Sequence, residues 1–73
     1  MSEIAQMKLD MVTNLASLQM EQDMTMTMEE ALETVFNSDT YQKLLDDKTH
    51  FYFQSPRYVF AFLETELKKG KME

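Results

Sequence analysis

Residues Ile4 to Gln22 contain neither glycine nor proline, and their apolar side chains return at helical spacing. That run predicts one amphipathic helix over about 4–22, some five turns long at about 3.6 residues per turn. Ser2 and Glu3 stand where its cap belongs. At about 100° per residue, Gln6, Asp10, Thr13, Asn14, Ser17 and Glu21 gather into one polar stripe. The rest divides into two seams. One holds Ile4, Met7, Met11, Leu15 and Leu18, and the other Ala5, Leu9, Val12, Ala16 and Met20, with Lys8 and Gln19 between them. Two seams imply two packing neighbours. Either both bury against later helices of the same chain, with Lys8 and Gln19 snorkelling at the edges, or one is given to a second copy or another protein.

A chain of 73 residues is one domain, and at that size folding removes only about 60% of the unfolded surface from water. With no cysteine there are no disulfides and no thiolate zinc site, and one histidine gives too few nitrogen ligands for most transition metals. Association is the remaining way to stabilise so short a chain. No cofactor is expected. A net charge of −6 disfavours contact with a phosphate backbone, so nucleic-acid binding is not expected. Lys68, Lys69 and Lys71 cluster where they complement the negative end of a helix dipole. The opening MSEIAQMKLD has an acid where a signal peptide carries positive charge and no continuous apolar run. No membrane segment is expected, and a cytoplasmic location follows.

After the connection Gln22 to Thr27, the pair Thr27 and Glu30 forms a capping box that opens a helix over about 28–37. Its expected buried face is Met28, Ala31, Leu32, Val35 and Phe36, with Glu29, Glu30 and Glu33 on the wet side. Ser38 and Asp39 cap a shorter helix over about 39–46, in which Tyr41, Leu44 and Leu45 form the stripe. Asp46 to Thr49 reads as a turn.

His50 to Gln54 is an aromatic run too short for a helix, predicted to be extended, with Phe51 and Phe53 on one face and His50 and Tyr52 on the other. A lone strand needs a partner edge, which a second copy can supply; the other reading is an ordered loop whose rings plug the core. Ser55 and Pro56 then start the last helix, over about 56–69, with a left-handed cap at Gly70. Pro56, Val59, Phe60, Leu63 and Leu67 fall on one face, and Tyr58 and Phe62 form a second aromatic patch.

His50 is the one histidine and the only candidate general base, yet no nucleophile, phosphate-cradling loop or enclosing cleft accompanies it, so no enzyme is expected. The acidic pairs Glu29-Glu30 and Asp46-Asp47 lack the spacing and central glycine of a calcium loop.

The second half, residues 27–67, carries Glu29-Glu30-Ala31-Leu32, Ser38 with Tyr41, Leu44-Leu45-Asp46, and the closing Glu66-Leu67. In these steps it resembles a group of short, functionally uncharacterised bacterial helical proteins sometimes found beside toxin-like genes. Where that group usually has a glycine after the turn threonine, this chain has His50. The resemblance implies a small helical protein without known activity, compatible with regulatory use.

Together these readings predict a mainly α domain of four helices with one short extended aromatic segment, assembled as a homodimer. The expected interface residues are Leu9, Met11, Val12, Leu15, Leu18, Phe51, Phe53, Tyr58 and Phe62. The expected function is protein–protein interaction as a small accessory or regulatory module. The alternative is an apolar-ligand protein whose dimer interface holds a pocket lined by Phe51, Phe53, Tyr58 and Phe62.

Overall fold

Serine and threonine caps set the boundaries of the fold. In the computed structural model, which describes residues 2–69, Ser2 accepts a hydrogen bond from the Ala5 amide at 3.1 Å and opens helix α1, Glu3–Gln22. Thr27 and Glu30 form the full capping box of α2, Met28–Phe36: Thr27 Oγ1 accepts from the Glu30 amide, and the Thr27 amide donates to Glu30 Oε1 at 2.9 Å. Ser38 opens α3, Asp39–Leu45, by accepting from the Tyr41 amide at 3.0 Å. Ser55 Oγ accepts from the Tyr58 amide at the start of α4, Pro56–Lys69. The cap foreseen at Gly70, and Lys71 of the basic cluster, lie outside the described residues.

Helix α1 is the platform on which α2, α3 and α4 all pack. Its polar stripe is exposed as predicted, but its two seams are one broad face. Met11, Val12, Leu15, Ala16 and Leu18 are all buried against the chain's own later elements, together with Val35, Leu44, Phe51, Val59, Phe60 and Leu63. Lys8 and Gln19 sit inside that face rather than at its edges. The Lys8 ammonium donates to the Leu45 carbonyl at 3.1 Å and to Asp47 Oδ1 at 2.7 Å, and lies 5.8 Å from the Tyr52 ring centroid. Gln19 is only 4% exposed, its Nε2 reaching the Ala31 carbonyl at 3.4 Å. A lysine stem is long enough to cross an apolar face when its charged end finds partners beyond it.

The Cα radius of gyration is 11.6 Å. A folded chain of this length is expected near about 11 Å, so the single copy closes its own core.

The aromatic run differs from its predicted extended form. Asp47–Thr49 and Phe51–Phe53 are two 3-10 turns, and His50 between them has a left-handed backbone at φ 55°. The Thr49 hydroxyl explains the turn: it reaches the Lys43 and Asp46 carbonyls and accepts from the Phe51 amide. A 3-10 turn rotates each side chain by about 120°, which breaks the expected alternation. Phe51 and Tyr52 therefore point inward while Phe53 points out.

Candidate interaction surface

The nine residues expected at an interface divide into two sets. Met11, Val12, Leu15, Leu18 and Phe51 are buried in the chain's own core. Leu9, Phe53 and Tyr58 stay at the surface, 50%, 66% and 51% exposed, and Phe62 is half-buried. The division follows from the helix register: α1 has enough later chain to cover its middle and C-terminal half, but Leu9 falls at the rim of the covered face.

Phe53 and Tyr58 lie in sequence on either side of the Ser55-Pro56 start of α4, each an exposed ring of its own group; the two groups meet through the consecutive Phe51 and Tyr52 and together make an aromatic corner. Tyr58 meets Phe62 edge to face at 5.4 Å, one helical turn along α4, and Phe62 packs on Phe51 at 5.1 Å. Phe53 pairs instead with Tyr52, the rings tilted at 4.7 Å, and with His50 at 6.4 Å. Of the four rings expected to line a ligand pocket, three thus fill space against one another, and the fourth belongs to another group. No ring-sized gap separates centroids at such spacing.

A second apolar surface runs along α2 and α3. Met28 and Phe36, expected on a buried face, are exposed, as is Leu45 of the α3 stripe, and Leu32 and Tyr41 are half-buried. Phe36 and Tyr41 join the two helices edge to face at 5.1 Å. Ala31 and Val35 alone carry the buried side of α2, because a helix of nine residues pressed on α1 hides only a narrow strip.

Two polar side chains whose partners the sequence does not give hold these surfaces in place. Glu66, 6% exposed, reaches from α4 to the first turn of α3: Oε2 accepts from the Asp39 amide at 2.7 Å, and Oε1 from the Thr40 amide and hydroxyl at 2.9 and 2.8 Å. A carboxylate at a helix start satisfies orphan amides and meets the positive end of the dipole. The available signal was spacing, since Glu66 continues the buried Val59 and Leu63 face of α4. The second position is Lys8, whose ammonium ties α1 to the end of α3 through the Leu45 carbonyl.

Other titratable groups show little organisation. Asp23 closes the α1–α2 connection; its carboxyl is held below the usual carboxylate range, first by the Thr25 hydroxyl at 2.6 Å and then by the Thr25 amide at 3.0 Å. His50 is exposed, its ring beside Tyr52 and Phe53. Among the described residues, no three His, Cys, Asp or Glu side chains group as metal ligands, and no helix is long and apolar enough to cross a membrane.

Comparison with known proteins adds no assignment: no family model, curated protein or solved structure matches this chain.

Proposed function

We propose that this protein is a small, non-enzymatic protein–protein interaction module of accessory or regulatory type, acting as a homodimer in the cytoplasm. One observation carries the reading. The chain closes a core of its own and still leaves Phe53 and Tyr58 of the aromatic corner, and Phe36 and Leu45 of the helix-surface stripe, substantially exposed. Organised apolar surface of this kind marks sites where proteins meet. Rings such as Phe53 and Tyr58 supply large contact area at little conformational cost, which suits the centre of an interface.

The aromatic corner is the proposed dimer contact. A two-fold pair places Phe53 and Tyr58 of one copy against the same residues of the other, and edge-to-face packing suits such self-matching groups. The net charge of −6 argues against a nucleic-acid partner.

Light scattering on the purified chain tests this reading. The wild type is expected at twice the chain mass, and the double variant Phe53→Ser, Tyr58→Ser at the single-chain mass with its helical circular dichroism intact. A wild type that stays at single-chain mass at millimolar concentration overturns the homodimer.

A further inference from the structure

The stripe along α2 and α3 has a chemical edge that specifies its partner. Met28, Leu32 and Phe36 are spaced four apart and so form one line on α2; Tyr41 and Leu45 form another on α3, and the Phe36–Tyr41 ring contact joins them. At about 1.5 Å per residue, the two helices offer at most about 24 Å of apolar track, the length of roughly four turns of a docked helix.

At about 100° per residue, Glu29 and Glu33 lie beside this line, on the side turned away from the buried Ala31 and Val35. Both are exposed, and among the described residues neither is ion-paired. Glu29 lies in the first turn, where the helix dipole accounts for an acid; Glu33 lies beyond it. A partly exposed apolar line bordered along α2 by unpaired carboxylates matches an amphipathic helix whose apolar stripe is flanked by lysine or arginine.

We infer that the α2–α3 stripe is the docking site for a basic amphipathic helix of another protein. A second copy of this chain is the poorer occupant, because a two-fold contact brings the same acids back rather than cations. An anionic membrane is repelled by the same carboxylates. The inference rests on the interaction-module reading but uses a surface separate from the aromatic corner.

The test uses the full-length chain and a fluorescent synthetic Leu/Lys peptide patterned as an amphipathic helix. Its controls are a scrambled peptide of identical composition and a version with glutamate in place of lysine. Anisotropy is expected to show the patterned Leu/Lys peptide binding at least about tenfold more tightly than either control, and Phe36→Asp losing at least about tenfold of that affinity. Glu29→Lys with Glu33→Lys, two exposed changes that leave the core alone, is expected to move the preference to the glutamate peptide.

Equal binding of the scrambled peptide, or a charge reversal without a change of preference, overturns the inference. So does binding of phosphatidylserine vesicles through Phe36, or a Phe36→Asp protein whose mass falls to a single chain while it stays helical. If the peptides fail but the Phe53→Ser, Tyr58→Ser variant still halves the mass, this inference falls and the module reading stands.

Discussion

Glu66 and Thr40 share two hydrogen bonds, the amide and the hydroxyl of Thr40 both ending on Oε1, at 2.9 and 2.8 Å. The contact joins α4 to the start of α3 across the interior, and Oε2 takes the neighbouring Asp39 amide. Truncation by Glu66→Ala leaves these donors without an acceptor in a buried place, at an expected cost of about 3 kcal/mol. Glu66→Gln keeps one acceptor oxygen and is expected to cost about 1 kcal/mol. Urea unfolding distinguishes the two, and a Glu66→Ala variant as stable as the wild type disproves a structural role for the joint.

His50 occupies left-handed backbone at φ 55° between two 3-10 turns, a conformation that penalises any residue with a Cβ by about 1 kcal/mol or more. His50→Gly removes that penalty while giving up edge contacts to Tyr52 and Phe53. The net expectation is a gain of up to about 1 kcal/mol, read as a rise in Tm of about 5 °C. His50→Val is expected to lower Tm, since β-branched residues tolerate positive φ least. If both variants melt alike, backbone conformation is not what limits this turn.

Leu15 and Leu9 lie on the same helix and are expected to respond in different ways. Leu15 is fully buried, so Leu15→Asp places a charge in the core and unfolds the chain, with loss of the far-ultraviolet helical signal. Leu9 is half exposed, and Leu9→Asp is expected to change stability by no more than about 0.5 kcal/mol. A folded Leu15→Asp protein of reduced mass would restore α1 as the dimer contact.

Asp23 provides a pH-dependent readout of the α1–α2 connection. Its folded pKa lies below the unfolded value, so the Thr25 bonds add stability above the unfolded pKa, and that contribution is lost as pH falls through the folded one. Thr25→Ala removes the hydroxyl bond, the larger cause, and keeps the amide bond. Carboxyl-detected NMR titration is expected to show the Asp23 midpoint moving up toward the ordinary carboxylate range. An unmoved midpoint rules out the hydroxyl as the cause.

Local signals made the element boundaries legible. The Thr27–Glu30 box, the Ser38 cap and the Ser55-Pro56 start each act over three residues or so, and all three open the helices expected of them. Faces were harder to read, because burial depends on how much partner lies opposite. Met28 and Phe36 have helical spacing suited to a core, yet α1 covers only Ala31 and Val35 fully. The aromatic run misled for a related reason: a β-favouring composition gave way to the Thr49 hydroxyl bonds and the reversal at His50, which settle the backbone before any strand partner is involved. Lys8, Gln19 and Glu66 look like surface residues by type. Each is drawn inward by a specific acceptor or donor on another helix, which composition cannot reveal.

With seven residues, α3 is well short of the length at which a helix persists alone in water. Its opening amides are closed by a side chain more than twenty-five positions downstream. Docking of α4 on α3 therefore closes the first turn of a segment too short to hold its own shape, so the two helices stand or fall together.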